Sequence, residues 1–224
     1  MNRDLTEVVF ILDRSGSMSG LEKDVVGGFN STIKEQKKKD GKCLVSTVLF
    51  NDCSKVIHDR VDIKKIRNME EDDYFPCGST ALIDALGDSI RYIKKVHRII
   101  RKEDVPTHTI FVITTDGYEN SSHKYSSKEV KKMILEQQEK GWEFVYLAAN
   151  IDAVETAKTF GFKESRSHNF INDSIGNNRA FGSISNFMNI VRDSDENVDV
   201  DKCIEYAGVF DELDKDFKSR KKRK

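Results

Sequence analysis

Residues 8–12 (Val-Val-Phe-Ile-Leu) form an unbroken apolar run with polar flanks, which predicts a strand buried on both faces. The pattern then changes abruptly. Asp13 is followed by the short residues Ser15, Gly16 and Ser17, and an apolar residue then recurs at every fourth position (Leu21, Val25, Phe29, Ile33). That spacing is one face of an amphipathic helix. A charged turn, 37–41, closes it with Gly41 as the expected C-cap. Residues 42–50 are rich in β-branched side chains and predict a strand, Asn51-Asp52 a turn, and 53–61 the returning strand of a hairpin. Residues 61–74 are polar and acidic without a clear period, and predict a loop with a short helix at 63–69.

From Thr80 a second stripe (Leu82, Leu86, Ile90, Ile93, Val96, Ile100) predicts a helix capped by Ser79 or Thr80, its free backbone N–H groups facing the loop region. Pro106 precedes a strand at 107–115. A helix at 127–140 ends at Gly141, and a strand follows at 142–149. A short helix at 152–160, a strand at 165–170 and a helix at 175–191 complete the series; the last carries Ala180, Phe181, Ile184, Phe187, Met188 and Val191 on one face. Alternation of this kind predicts an α/β fold, a doubly wound and mostly parallel sheet with helices on both faces, in which the hairpin makes one strand antiparallel. The division expected is a domain over 1–192 and an extension over 193–224 made of an acidic linker, an amphipathic segment at 203–217 and a basic tail at 219–224. The linker has the alternating oxygens of a calcium loop, but Val198 stands where glycine is needed and Ile204 where the closing glutamate is needed, so it reads as a solvated acidic stretch.

Composition narrows the function. The net charge is −1, with 37 Lys and Arg against 38 Asp and Glu, so global charge implies no nucleic-acid partner. No apolar run reaches the roughly 18 residues a membrane span needs. The N-terminal residues enter the first strand with no secretory apolar stretch, and Cys43, Cys53, Cys77 and Cys203 show no paired metal spacing. A cytoplasmic protein with reduced thiols is the expectation; Cys77 stands apart because it lies just before the Gly78-Ser79-Thr80 loop.

The candidate chemistry lies where strands end. Asp13, Ser15 and Ser17 follow the first strand, Thr80 opens a helix, and Asp116-Gly117 ends a second apolar strand. Ligands of open α/β sheets collect at this carboxyl edge, and hard oxygen donors suit Mg²⁺ or Mn²⁺. The series Asp13-x-Ser15-x-Ser17, then Thr80, then Asp116-Gly117, resembles the metal-ion-dependent adhesion site of von Willebrand factor type A domains, over roughly residues 4–192. The resemblance implies a Rossmann-like sheet with one antiparallel edge strand, in which Ser15, Ser17 and Thr80 hold the metal directly or nearly so. Asp13 and Asp116 hold it largely through water, and the Thr80 loop is able to move. A shell of neutral hydroxyls leaves the ion electron-poor, so an Asp or Glu of a partner protein completes its coordination. The type it resembles is the intracellular bacterial or phage one. Such relatives often work beside AAA-class ATPases, one partner the resemblance allows.

Other functions have less support. A phosphoryl hydrolase beginning at Asp13 would need a second carboxylate two residues on, where Ser15 stands, and no P-loop or nucleophile elbow is present. No enzyme activity is expected. An RNA or ribonucleoprotein role rests on the basic tail alone. His123 and Arg14, the other polar groups near the loops, read as surface residues.

Overall fold

A computed structural model describes residues 2–149, 152–194 and 198–221, with the side chains of residues 2–4 excepted. Among these, six strands form one sheet: β1 (Asn2–Asp13), β2 (Lys42–Phe50), β3 (Ser54–Asp62), β4 (Pro106–Thr115), β5 (Trp142–Ala148) and β6 (Ser167–Asn169). Their order is β3-β2-β1-β4-β5-β6, and every pairing is parallel except that of the edge strand β3 with β2. The helices are α1 (Glu22–Gln36), α2 (Leu82–Ile99), α3 (Ser127–Gln138), α4 (Ala153–Phe160), α5 (Ser174–Asp193), α6 (Val200–Ala207) and α7 (Asp211–Lys221). The mostly parallel, doubly wound α/β architecture is as the periodicity predicts.

The alternation of side chains along β1 explains why its apolar run is unbroken. Val8, Phe10 and Leu12 point into a core shared with α1, α5, Ile204 of α6 and Leu213 of α7, while Val9 and Ile11 point into a second core with α2, α3 and α4. All five are buried. Because chain order reverses between β1 and β4, the carboxyl ends of these neighbours mark the topological switch point, where ligands of open sheets bind.

Several local expectations are corrected. Gly41 lies in the turn entering β2, whereas α1 ends at Gln36 with Lys37 as its cap. The stretch 61–74 holds two short 3-10 turns, Ile63–Lys65 and Glu71–Asp73, and its Ile63, Ile66, Met69 and Tyr74 are buried in the first core. Asn30 of α1 pins this loop, donating to and accepting from the backbone of Met69, both at 2.8 Å. Part of the acidic linker, 195–197, and the end of the basic tail, 222–224, lie outside the described residues. Asp199, in the calcium-like series, instead caps α6, accepting from the Lys202 N–H at 3.2 Å, and Ile204 is buried. Arg220 of the basic stretch is engaged in ion pairs with Asp173 and Asp216.

Candidate metal centre

Asp13 ends β1 and is completely buried. One carboxylate oxygen accepts the N–H of Ser15 at 2.7 Å, which folds the first loop back on the strand end; the other accepts the Thr115 hydroxyl of β4 at 2.6 Å. Tyr74 donates its hydroxyl to the Asp13 backbone carbonyl. Ser15 and Ser17 oxygens lie 3.1 Å apart, and Ser17 donates to Asp116 Oδ1 at 2.5 Å. Asp116, just past β4, accepts from Asn172 Nδ2 at 3.0 Å on its other oxygen.

The second loop is tied to both neighbours. Gly16 N–H donates to Gly78 O at 3.0 Å, and Cys77 N–H to Arg14 O at 2.9 Å. Gly78 has a φ of +73°, and a Cβ there would fall 2.4 Å from Asp52 Oδ1, so the position admits only glycine without rearrangement. Thr80 is clamped at both backbone atoms: its N–H donates to Asn120 Oδ1 at 2.9 Å and its carbonyl accepts the Asn120 N–H at 3.0 Å. Its hydroxyl faces the same small space as that of Ser17, since a Cβ placed on Gly117 would lie 3.4 Å from Thr80 Oγ1 and 3.7 Å from Ser17 Oγ. All five predicted residues therefore gather at the carboxyl ends of β1 and β4.

The expectation that Ser79 or Thr80 caps α2 is corrected. The helix starts at Leu82 with Ala81 at the cap position and no side-chain cap bond. Glu119 Oε2 accepts the Ile83 N–H at 2.8 Å and Ser122 Oγ accepts that of Asp84 at 3.0 Å. The helix N-terminus is thus satisfied by the β4–α3 loop and does not open on the site, which leaves the Thr80 hydroxyl uncommitted to capping.

The electrostatics of the cluster are one-sided. Burial pushes the Asp13 carboxyl above its ordinary value, the hydrogen bonds from Thr115 and Ser15 oppose this, and the nearby Asp116 adds to it. Burial likewise raises Asp116, against the hydrogen bonds of Ser17 and Asn172. Neither carboxylate enters an ion pair among the described residues, although both are almost wholly inaccessible. Buried charge is normally paired or bound to metal, so two close carboxylates with three hydroxyls suit a hard divalent cation. No group of three or more His, Cys, Asp and Glu gathers among the described residues, so an ion held here would rely on the hydroxyls.

The expectations about neighbouring residues have mixed outcomes, His123 as expected and Arg14 not. Arg14 is only half exposed and its Nε is buried without a hydrogen-bond partner, so it does not simply point to solvent. His123 is exposed, and its backbone N–H donates to Asp84. Cys77 is a free thiol whose sulfur lies 3.2 Å from Asn51 Nδ2. Sequence reasoning missed Thr115, Tyr74, Asn120, Glu119 and Asn172. The first four lie within six residues of a predicted site position and were open to inspection as loop neighbours; Asn172, 56 positions from Asp116, carries no local signal.

No protein-family model matches the chain, and no curated protein matches it. Solved structures do. The vWF domain of the type V pili tip protein Mfa5 from Porphyromonas gingivalis is similar over 89% of this chain and 100% of that one, at a TM-score of 0.62 and 10% identity. Proximal thread matrix protein 1 from the mussel byssus matches over 82% of this chain and 46% of its own, at 0.57 and 14%. A von Willebrand factor type A structure from Catenulispora acidiphila matches over 80% and 42%, at 0.53 and 14%. This chain thus spans less than half the length of the last two. Its strand order, the single antiparallel edge and these similarities show that the chain has the fold of von Willebrand factor type A domains.

Proposed function

We propose that the chain is a divalent-metal-dependent protein-binding module, in which Ser15, Ser17 and Thr80 offer hydroxyl ligands to Mg²⁺ or Mn²⁺ and Asp13 and Asp116 hold it largely through water. The single observation that carries this reading is the pair of buried carboxylates, unpaired by any basic side chain among the described residues, with the Ser17 hydroxyl on Asp116 and the Thr80 hydroxyl of a further loop beside the same space. When bound, the ion supplies an electrophilic position that a carboxylate from outside fills.

The chain's own residues set up that position. Asp13 spends both oxygens on Ser15 and Thr115, so it shapes the first loop and contributes charge without facing outward. Ser17 is exposed and bridges the first loop to Asp116. Asn120 holds the backbone of Thr80 on both sides, so its hydroxyl is positioned in advance. The partner in this reading presents Asp or Glu; an AAA-class ATPase is one to try. It is a binding reading and not an enzymatic one, because Ser15 occupies the place where a second acid would stand. Cytoplasmic placement belongs to the same reading and draws on the four free thiols. The RNA alternative loses ground, since Arg220 is occupied by Asp173 and Asp216.

The test is calorimetric titration of Mg²⁺ and of Mn²⁺ into the wild type and Ser15→Ala/Ser17→Ala, followed by pull-downs with and without chelator. Saturable uptake that the double substitution weakens at least tenfold is expected. Equal affinity in both proteins would remove the assignment.

A further inference from the structure

We infer that Asn172, in the loop between β6 and α5, is a further residue of the metal site, a positioning residue for Asp116 that is itself held in place by Arg220 of the C-terminal helix α7. This rests on the metal reading above.

The geometry is a continuous chain of bonds. Asn172 Nδ2 donates to Asp116 Oδ2 at 3.0 Å, opposite the oxygen that accepts from Ser17. With a donor on each oxygen, the carboxylate cannot turn about its terminal bond without losing one. The orientation of Asn172 is fixed in turn, because its Oδ1 accepts from the buried Asn177 at 3.3 Å, and Asn177 also donates to the Asp173 carbonyl at 3.1 Å. An amide whose oxygen is used in this way turns its nitrogen, which can only donate, toward the carboxylate. Asn172 therefore aims Asp116 and does not compete with it for a cation.

The next link comes from far along the chain. Asp173 follows Asn172, caps α5 by accepting the Gly176 N–H at 2.9 Å, and receives both terminal nitrogens of Arg220, at 2.6 and 3.0 Å. Arg220 is braced by Asp216, whose Oδ2 accepts its Nε at 3.0 Å. A two-pronged guanidinium–carboxylate contact fixes direction as well as distance. The loop that presents Asn172 to Asp116 is thereby strapped to α7. Arg220 touches none of the five proposed ligand residues, so any effect it has on the ion must pass through this loop. Partners that orient a metal's ligands commonly contribute ten- to a hundredfold to affinity.

The test uses the full chain and Mn²⁺ as the probe, in calorimetric titrations of wild type, Asn172→Ala, Arg220→Ala, Arg220→Lys and the double alanine variant, with urea unfolding to show that each is folded. Asn172→Ala is expected to weaken Mn²⁺ about tenfold and Arg220→Ala about threefold, with Arg220→Lys recovering part of the loss. The double variant is expected to bind no more weakly than Asn172→Ala alone, because both act along one path. Hydrogen exchange of residues 171–177 is expected to quicken in metal-free Arg220→Ala. Wild-type uptake with unchanged affinity in both single variants, or additive losses in the double variant, overturns the proposal while leaving the metal reading in place. A wild type that takes up neither Mg²⁺ nor Mn²⁺ overturns both.

Discussion

Replacing Asp116 by asparagine should have opposite consequences with and without metal. Asparagine has the same shape. Its oxygen can accept the Asn172 donor now 3.0 Å from Oδ2, and its amide can donate to Ser17, whose hydroxyl rotates toward Ser15 at 3.1 Å. The network therefore survives, while a buried charge that no basic side chain offsets is removed. Stability of the metal-free protein should change by no more than about 1 kcal/mol in either direction. In the wild type, metal at a hundred times its dissociation constant should add about 2.7 kcal/mol. For a chain of this length that is a rise of about 5–10 °C in melting temperature. Asp116→Asn should lose most of this rise. The assay is thermal unfolding by circular dichroism, in chelator and over a series of Mn²⁺ concentrations. A variant that gains as many degrees as the wild type would refute the placement of the ion at Asp116. A chelated variant weakened by several kcal/mol would refute the argument that its charge is dispensable to the fold.

Further outcomes concern the stability of the metal-free fold. A Cβ on Gly176 would fall 1.8 Å from the Ile171 carbonyl oxygen, so Gly176→Ala must displace the loop carrying Asn172; a loss of about 1–3 kcal/mol in urea unfolding is expected. Glu7 is completely buried between Arg60 and His97, so Arg60→Ala, which strands that carboxylate with one partner, should cost about 3 kcal/mol or more; Arg67→Ala, at the half-exposed, two-pronged pair with Asp73, should cost less in urea unfolding. His58 is held below its ordinary pKa by burial and by Arg67, with Asp73 opposing, so the unfolded chain takes up the proton first. Its contribution to stability is whole above the unfolded value of about 6.5 and falls as pH drops through it, so unfolding midpoints measured from pH 7.5 to 5 should decline less steeply in His58→Gln.

Local pattern carried far in this chain, and it failed for identifiable reasons. β2, Lys42–Phe50, has the bounds its β-branched residues predict, and Val8 to Leu12 are buried on both faces as an unbroken apolar run requires. These features depend on the period of side chains along a single element, which the order of residues contains. The convergence of Asp13, Ser15, Ser17, Thr80 and Asp116 was legible because each ends or follows a strand or lies just before a helix, and parallel strands bring such ends to one edge. Four buried apolar residues between Ile63 and Tyr74 were not legible, since an irregular loop has no period to betray which side chains face inward. A hydroxyl before a helix reads equally as a cap or as a free group. Only the arrival of Glu119 and Ser122 at the start of α2 released Thr80 from capping. Likewise the pairing of Asn172 with Asp116, and of Arg220 with Asp173, joins residues 56 and 47 positions apart. Contacts of that span exist only once the sheet has set the register of its neighbours and the C-terminal helices have packed on α5, because nothing in either residue's own surroundings selects its partner.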